Sequence, residues 1–592
     1  MKSSSIKATQ ADQRMHRDRR RPTAAPSAVA PKASGPKWWY YALGGFAALV
    51  IAFIIYGPAI NGPFVLDDLY LPFMSPAAAA LSPRSWLSVR PLLMATFWFN
   101  YSTSGVEPYW YHWVNIVLHS IDAVLIYAVV RRFLTFVGET GSRRELLSMF
   151  AGGLFLVHPV QTESVSYVAS RSESLSVLFF LAAFAIFLYR RREAVSVGET
   201  FAILILFGAA ALTKEHTVVL PVLLLLTDYY FNPGFTLEGI KRNWKLYVPI
   251  AVGGVGAIAW VVRTVSHSTS AGFGMKDLTW YEYLFTQFRA ICVYFRLFLL
   301  PIGLNLDHDF PTSRTIVDHG AIGYLLVLIA LATVAWRYRR EYPLASYGYF
   351  GCLLLLAPTS SVVPVRDVMV EHRLYLPFVC LLLVTVEFLR RWKAPVTNTA
   401  VVLGTVLLIL SALTYSRNTV WADSISLWSD TAAKSPRKSR PRFQLAYANW
   451  QAGRCVQAAA DYATAAKLQT PDARLLVDWA LAEDCANNTS GAIEKFKRAA
   501  ELEPTAHVYS QLGMEYGKQG RFAEAQDVLD RAEKLDSNFA ATYVNRGNVY
   551  AATNDYARAK EQYLKALALD PSLEVAKKNL AVANQRLNSR TP

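Results

Sequence analysis

The stretch WWYYALGGFAALVIAFIIYGPAINGPFVLDD, residues 38–68, is a long apolar run that ends in two adjacent carboxylates. A helix needs about 20 consecutive apolar residues to cross a bilayer, and this run is long enough. A charge at the middle of a bilayer costs roughly 3 kcal/mol or more, so we expect Asp67 and Asp68 to lie at the water boundary or to face a cavity. The run is too long for a signal peptide and lacks an A-x-A cleavage pattern, which predicts a retained first span.

Composition divides the rest of the chain into a membrane part and a soluble part. Apolar residues make up 53% of the 592 residues and the mean hydropathy is +0.22. The apolar residues cluster in long uncharged windows until about residue 440, which is typical of an integral membrane protein. Beyond that point Ala, Glu, Lys and Tyr recur with helical spacing. Residues 1–37 are basic and rich in Ser, Ala and Pro, which predicts a disordered cytoplasmic tail.

The formal charge of +16 comes from short basic clusters beside apolar segments. This is the pattern of cytoplasmic anchors, so we expect a membrane and no nucleic acid as partner. The cysteines are scattered without a C-x-x-C pair, so neither a zinc site nor a disulfide framework is indicated. The five cysteines are Cys292, Cys352, Cys380, Cys455 and Cys485.

Apolar windows predict about eleven membrane spans. They cover residues 38–60, 113–130, 146–158, 174–189, 199–213, 216–231, 246–263, 319–336, 344–362, 374–390 and 397–415. Basic groups follow the even-numbered spans, beginning with Arg131-Arg132, and mark the cytoplasmic face. The charged amphipathic stretch 280–301 is predicted to lie along the outer interface. A multi-pass protein of the bacterial inner membrane is therefore expected, with a cytoplasmic N-terminus and a periplasmic or otherwise extracytoplasmic C-terminal part.

The C-terminal part repeats itself with a period of about 34 residues. Tyr509, Gly513, Tyr516, Phe522, Ala525 and Ala532 recur as Tyr543, Gly547, Tyr550, Tyr556, Ala559 and Ala566. Earlier alanines at a step of about 33 residues, Ala492 with Ala499 and Ala459 with Ala466, extend the array to about four repeats. The spacing resembles the tetratricopeptide repeat, whose stacked helix pairs form a solenoid with a concave groove. A peptide-binding groove and a purely structural scaffold both remain open.

Four polar motifs fall on the predicted outer face. They are Asp67-Asp68; HPVQTESVSYVASRSES with His158, Glu163, Arg171 and Glu173; LTKEHTVVLP with Lys214, Glu215 and His216; and VRDVMVEHRLYLP with Arg366, Glu371, His372 and Arg373. An interfacial ion pair or a helix cap would explain any single one of these groups. Together, acids that accept protons and cations that hold phosphate indicate a transferase with a membrane-anchored phosphate donor.

These motifs also carry a family resemblance. In order, GPFVLDD, HPVQTESVSYVASRSE, TKEH, VEHRLYLP and RNTVWADSISLWSDTAAKSP resemble the protein O-mannosyltransferases that combine a multi-span membrane part with C-terminal tetratricopeptide repeats. The resemblance covers essentially the whole chain after residue 38. It implies an all-α, GT-C type bundle that moves a sugar from a polyprenyl-phosphate carrier to hydroxyl side chains of extracytoplasmic proteins.

The resemblance and the residue chemistry together suggest a domain plan and roles. The plan is a tail at 1–37, a catalytic membrane domain at 38–416, a connecting segment at 417–440 and repeats at 441–592. We expect Asp67 or Asp68 to accept the hydroxyl proton, with inversion at the sugar. Donor phosphate binding is assigned to Arg171, Arg373 and Lys214; positioning of the donor or of a loop is assigned to His158, Glu163, Glu215, Glu371 and His372.

Some alternatives stay open. The acceptor is expected in the repeat groove, 441–576, without identified residues. No cofactor or metal site is indicated by spacing, although the adjacent acids are able to hold a divalent cation. A lipid or glycan acceptor, or a non-catalytic scaffold that recruits envelope proteins through the repeats, are the competing functions.

Overall fold

The computed structural model of the chain describes residues 38–74, 90–190, 192–254 and 271–589. Within these ranges every regular element is helical, and the one β-bridge, between Ala271 and Val365, is isolated. The prediction of an all-α chain is confirmed. The predicted tail, 1–37, and the second half of the predicted span 246–263 lie outside the described residues.

The chain divides into two compact units, residues 1–47 and 48–592. The described part of the first unit is residues 38–47, which form the first half of helix α1 (Trp38–Tyr56). All the elements and contacts described below belong to the second unit.

After α1, the membrane-type part consists of helices joined by short 3-10 turns. The helices are α2 (Pro91–Ser104), α3 (Pro108–Phe136), α4 (Gly141–Val157), α5 (Thr162–Ser166), α6 (Arg171–Leu188), α7 (Val197–Ala211), α8 (Leu220–Phe231), α9 (Glu238–Arg242), α10 (Trp280–Leu299), α11 (Ala321–Arg337), α12 (Pro343–Leu356), α13 (Phe378–Arg391) and α14 (Val396–Val420). Residues 244–254 are also helical. The 3-10 turns are Gly57–Ala59, Leu66–Tyr70, Pro72–Met74, Pro159–Gln161, Val168–Ser170, Glu215–Val219, Asp318–Gly320 and Glu371–Leu374.

Five of the described segments are long and apolar enough to cross a membrane. They are Tyr41–Ala59, Pro108–Phe136, Val168–Leu188, Asp318–Arg337 and Val396–Val420, and each coincides with a predicted span. In the last two, only 11% of the apolar window is buried inside the protein. Their apolar side chains therefore face outward, as helices in contact with lipid require. Val197–Ala211 and Pro343–Leu356 are shorter apolar helices at two further predicted spans.

Two helices outside the spans shape the polar end of the bundle. The spans predicted from sequence do not include α2, a helix of 14 residues. The stretch predicted to lie along the interface forms α10. Its buried Tyr283 and Tyr294 donate their hydroxyls to the carbonyl oxygens of Thr359 (2.5 Å) and Val370 (3.0 Å). These bonds hold the segment that leads into the fourth polar motif.

The C-terminal part consists of helix pairs that follow a connecting helix, α15 (Ser424–Lys434). The pairs are α16 (Ser439–Gln451) with α17 (Cys455–Leu468), α18 (Ala473–Cys485) with α19 (Thr489–Leu502), α20 (Ala506–Lys518) with α21 (Phe522–Leu535), and α22 (Ala540–Ala552) with α23 (Tyr556–Leu569). A final helix, α24 (Glu574–Asn588), covers the last pair. The four predicted repeats are therefore present as four pairs.

Small residues allow the paired helices to approach closely. A Cβ atom on Gly513 would lie 2.6 Å from Leu529, and one on Gly547 would lie 2.5 Å from Tyr563. Both distances are shorter than carbon atoms tolerate. The predicted alanines of the later repeats, Ala492, Ala499, Ala525, Ala532, Ala559 and Ala566, are fully buried.

The alanine register predicted for the first repeat is wrong by one residue. Its fully buried alanines are Ala458 and Ala465, whereas Ala459 and Ala466 are partly exposed. The step from Ala458 to Ala492 is 34 residues rather than 33. Because 100° of helix separates neighbouring residues, a one-residue error moves the predicted side chain off the packed face.

The expectation that the cysteines carry no disulfide is also wrong. Cys455, at the start of α17, is joined to Cys485, at the end of α18, with 5.5 Å between their Cα atoms. The two residues are 30 positions apart in sequence, so no local spacing pattern signals the pair. Packing of adjacent repeats brings them together. Cys292, Cys352 and Cys380 are free.

The connecting helix packs against the membrane-type part instead of extending away from it. Trp421, Leu427 and Trp428 are buried in one cluster with Val65 and Leu306. At the end of α15, Lys434 Nζ donates to the carbonyl oxygen of Leu304 at 2.9 Å. The repeats are thus attached through apolar contacts as well as polar ones.

A charge cluster centred on Asp307 completes this attachment. Only 2% of the Asp307 side chain is exposed, and its oxygens bind Lys438 Nζ at 2.5 Å and Arg440 Nε at 2.6 Å. Arg440 also contacts Asp367 at 2.8 Å. Burial alone would raise the pKa of Asp307, but Arg440 and Lys438 hold it below its usual range. The contact is therefore present above about pH 4 and is lost as the pH falls below that value.

We expect Asp307→Asn to loosen the first repeat from the membrane-type part. The change removes two charge-assisted bonds at a buried acceptor, a loss of about 1–3 kcal/mol. Limited trypsin digestion should cleave faster after Lys438, whereas the bond after Arg440 is resistant because Pro441 follows it. Asp309→Asn is the matched control, because Asp309 pairs with Arg437, whose side chain is 68% exposed. Equal cleavage rates in the two variants would contradict the role given to Asp307.

Candidate active site

The first polar motif forms the 3-10 turn Leu66–Tyr70, and its two acids have different environments. Asp68 is fully buried. Its Oδ2 accepts the backbone N–H of Val65 at 3.0 Å and its Oδ1 accepts that of Ala169 at 2.6 Å. Burial raises the pKa of Asp68 to about 8, against the lowering by these two N–H groups. Both carboxyl oxygens are occupied by backbone N–H groups, so Asp68 fixes the turn to the segment before α6.

Asp67 has the opposite character. It is exposed, and its carboxylate makes no hydrogen bond or ion pair within the described residues. Only its backbone is held, by donation of its N–H to the Tyr167 hydroxyl at 2.9 Å. Two adjacent carboxyl groups are therefore divided by environment into a structural one and a chemically available one.

Arg171 lies at the start of α6 and is fully buried. Its guanidinium donates from Nε to Asn115 Oδ1 at 3.0 Å, from Nη1 to Asn100 Oδ1 at 2.7 Å and from Nη2 to the carbonyl of Tyr111 at 3.0 Å. It also lies 4.5 Å from the Phe97 ring centre. The structure thus makes Arg171 a tie between α2, α3 and α6, with its guanidinium enclosed by protein.

Glu163 holds the fourth motif in place. Its Oε2 accepts the backbone N–H groups of Glu371 at 2.9 Å and His372 at 3.2 Å, and its Oε1 lies 2.6 Å from His372 Nδ1. A carboxylate at the start of a helical turn satisfies donors that have no partner inside the turn. The second and fourth motifs, more than 200 positions apart in sequence, are joined by this one side chain.

Glu173 is the centre of a compact charged cluster. It forms an ion pair with Lys214. His216 Nε2 lies 3.5 Å and His372 Nε2 lies 3.9 Å from its carboxylate oxygens. The second, third and fourth motifs therefore converge at Glu173, as their common placement on one face predicted.

Arg90 is a component that sequence reasoning missed. It donates to both oxygens of Glu215, from Nε at 3.0 Å and from Nη2 at 2.8 Å. Burial alone would lower the pKa of Arg90, but the carboxylates of Glu215, Glu173 and Asp67 raise it above its usual value. Burial would likewise raise the pKa of Glu215, but Arg90 holds it below its usual range. The only available signal was an arginine before an apolar segment on a face otherwise poor in positive charge.

The side chains of Arg373 and His158 also form hydrogen bonds within the protein. Arg373 is 9% exposed and donates to the Tyr283 hydroxyl at 3.0 Å and to the carbonyl of Val368 at 3.2 Å. His158 accepts the N–H of Val160 at Nδ1, and its Nε2 lies 3.0 Å from the carbonyl of Phe298. Both side chains therefore fix backbone segments around the site.

Glu371 links the fourth motif to the loop that carries Asp307. Its Oε1 accepts the backbone N–H of Asn305 at 2.6 Å and lies 2.8 Å from His308 Nε2. His308 had no predicted role. Within the described ranges no group of three or more His, Cys, Asp or Glu side chains is arranged to hold a metal ion. The divalent cation considered at Asp67 and Asp68 stays an open prediction.

The repeats reach the turn that carries Asp67. Arg474, in the first turn of α18, has its Nη1 3.5 Å from the hydroxyl of Tyr70. Tyr70 is 77% exposed and ends the same 3-10 turn. The polar end of the bundle and the first helices of the solenoid thus share one surface.

These features define a helical chain with membrane-type spans, a cluster of acids and cations at one end, and tetratricopeptide repeats. The tetratricopeptide repeat models match residues 506–539 and 540–573, which contain α20 to α23. The prediction of such repeats is confirmed for these two units. The solved tetratricopeptide repeat protein YrrB is 17% identical with a TM-score of 0.24, covering 31% of this chain and 88% of its own.

Relatives extend across the membrane-type part. The chain is 24% identical to human protein O-mannosyl-transferase TMTC3 over 564 residues, which are 85% of this chain and 60% of the relative. It is 25% identical to human protein O-mannosyl-transferase TMTC1 over 72% of this chain and 55% of the relative. The resemblance to the protein O-mannosyltransferases is thereby confirmed. The chain spans about 60% of the length of the first of these relatives.

We expect Asp68→Ala to loosen the turn that carries Asp67. The change leaves the N–H groups of Val65 and Ala169 without their acceptor, at a cost of about 1–3 kcal/mol each where burial is complete. Hydrogen exchange should accelerate at these two amides. Asp67→Ala is the control and should leave their exchange unchanged. Similar exchange in both variants would remove the distinction between the two acids.

Proposed function

We propose that the chain is an inverting membrane glycosyltransferase of the GT-C type. It moves a sugar from a polyprenyl-phosphate carrier to Ser or Thr hydroxyls of extracytoplasmic proteins. The observation that carries the proposal is the exposed Asp67 carboxylate, held on a fixed turn and close enough to interact electrostatically with Arg90. The names of the relatives support protein O-mannosyl transfer, with mannose as the proposed sugar.

In the proposed reaction Asp67 accepts the proton of the acceptor hydroxyl. The oxygen forms a bond to the anomeric carbon while the bond from that carbon to the carrier phosphate breaks. The electron pair of the broken bond leaves with the phosphate, on the face opposite to attack, so the configuration inverts. A carboxylate that has no competing partner is suited to this general-base step.

The departing phosphate needs positive charge, and two cations border the site. Lys214 keeps 17% of its side chain exposed and Arg90 keeps 36%. Arg90 uses Nε and Nη2 on Glu215, so its Nη1 has no partner in the described part of the chain. We assign phosphate contact to Lys214 and Arg90. Arg171 and Arg373, whose donors are occupied, act on the donor only through the segments they hold.

The remaining predicted residues position these groups. Glu173 orients Lys214, and Glu215 orients Arg90. Glu163, with His372, holds the turn Glu371–Leu374 against the segment before α6. His158 and Glu371 fix α10 and the loop of Asn305, respectively. None of these six residues needs to touch the sugar for the site to keep its shape.

A protein acceptor is supported by the contact between the solenoid and the Asp67 turn. Repeat grooves hold extended segments, and Arg474 lies directly beside Tyr70. The disulfide between Cys455 and Cys485 supports an oxidising, extracytoplasmic compartment for the repeats. This agrees with the sidedness proposed from the basic clusters, including a bacterial inner membrane location.

We expect Asp67→Asn to lower the rate of transfer by about 10²–10⁴-fold, because the general base is lost. The KM for lipid-linked sugar should stay near its original value, because the phosphate contacts remain. Lys214→Gln should mainly raise the KM for the donor. Asp277→Asn is the matched control, since Asp277 is exposed and makes no ion pair in the described part of the chain. Original activity in Asp67→Asn would move the base elsewhere, and absence of transfer by the unsubstituted chain would favour the scaffold function.

We expect Arg474→Ala to reduce transfer to a folded or extended protein acceptor several-fold while transfer to a small hydroxyl acceptor is unchanged. The change removes a repeat contact beside the Asp67 turn without altering the acids or cations. Arg531→Ala is the control, because Arg531 is 57% exposed and pairs only with Asp527 on its own helix. Equal loss with both acceptors would favour a lipid or glycan acceptor.

A further inference from the structure

A second polar region lies at the other end of the bundle. A cavity of about 260 Å³ is lined by Arg132, Arg190 and Arg192, with Phe136, Phe231 and Asn232. Helix α6 carries Arg171 and Glu173 in its first turn and reaches Arg190 just beyond its last residue. Its 18 residues rise by roughly 27 Å, close to the thickness of the hydrocarbon layer. The cavity and the candidate active site therefore lie on opposite faces.

The wall of the cavity is rigidly built. Asp228 is fully buried and accepts from Arg190 Nη2 at 3.1 Å, from Asn243 Nδ2 at 2.6 Å and from the Tyr247 hydroxyl at 2.7 Å. Asn232 Nδ2 donates to the same carboxylate at 3.1 Å. These bonds fix the side chains of Arg190 and Asn232. Arg190 is therefore part of the cavity wall, with its guanidinium bound to Asp228.

The guanidinium groups of Arg132 and Arg192 keep donors that are not hydrogen-bonded to any described residue. Arg132 donates from Nε to the carbonyl of Leu188 at 2.9 Å and stacks 4.8 Å from the Phe136 ring centre. Its Nη1 and Nη2 have no hydrogen-bond partner within the described residues. Arg192 is exposed and makes no hydrogen bond or ion pair with any described residue.

Two sources of negative charge border the cavity, the C-termini of three helices and the carboxylate of Glu193. Neither neutralises the positive charge of these guanidinium groups. Three helices, α3, α6 and α8, end there, and each C-terminus contributes about half a negative charge. Arg190 and the Nε edge of Arg132 already cap the carbonyls of Phe187 and Leu188. Glu193 is 78% exposed at the rim and pairs with Arg242. The free donors of Arg132 and Arg192 remain in excess.

We propose that this cavity binds the phosphate of an anionic phospholipid headgroup. Guanidinium groups match phosphate oxygens, and the rings of Phe136 and Phe231 offer apolar contact to the adjoining glycerol and acyl region. The volume is below the roughly 300–1,000 Å³ of sites that enclose whole drug-sized ligands, so it suits a headgroup and not a whole lipid. Basic pockets between spans at the cytoplasmic face are typical anionic-lipid sites.

The test measures lipid binding to the purified full-length chain in neutral detergent by native mass spectrometry. Phosphatidylglycerol should bind the original chain at least about tenfold more tightly than phosphatidylcholine. Arg192→Gln should weaken phosphatidylglycerol binding about fivefold, as expected for loss of one basic group at an anionic lipid. Arg132→Gln combined with it should weaken binding further. Arg192 has no contacts to lose, so its variant keeps the fold even if the double variant does not.

Arg337→Gln is the matched control, because Arg337 is an exposed arginine at the end of α11 and does not line the cavity. Its effect should stay below twofold. A loss as large as that of Arg192→Gln, or equal affinity of the original chain and the Arg192→Gln variant, would overturn the proposal. Inorganic phosphate distinguishes the source of the ligand. Failure to displace phosphatidylglycerol at millimolar concentration supports a lipid site, whereas displacement together with equal affinity for phosphatidylglycerol and phosphatidylcholine overturns it.

Discussion

The buried guanidinium of Arg171 is the interaction on which the candidate active site depends. A charge removed from water is tolerated only when its donors are satisfied, so the acceptors on α2 and α3 are fixed by necessity. The segment immediately before Arg171 then supplies the Ala169 N–H and the Tyr167 hydroxyl to the turn of Asp67 and Asp68. The position of the exposed Asp67 thus follows from a cation that is itself fully buried.

A second set of constraints arises because carboxylates serve as connectors between distant segments. Glu163 joins the second motif to the fourth, Glu173 joins both to the third, and Glu371 continues the chain of contacts to the loop of Asn305. Each connector is 3–4% exposed, so its bonds are sheltered from water and hold their geometry. Lys214, oriented by Glu173, keeps the partial exposure that a phosphate contact needs.

The repeats are integrated with this arrangement through charge and apolar packing together. Asp307 receives two cations from the segment that begins the solenoid, and Trp428 of the connecting helix is buried in one cluster with Val65 and Leu306. A fixed attachment determines which repeat helix faces the Asp67 turn. The attachment also places Arg474 beside Tyr70, because this contact forms only if the first repeat is held in place.

The sequence by itself determined the helical class, the positions of the five long apolar spans and the repeat array, because these follow from hydrophobic periodicity and the cost of burying charge. It did not separate Asp67 from Asp68, reveal Arg90, pair Cys455 with Cys485 or show that Arg171 is enclosed. Each of these depends on which distant groups become neighbours and on how much water remains around them. Burial and long-range hydrogen bonding are properties of the tertiary structure, so only the folded chain decided which charged groups are available for chemistry and which hold it together.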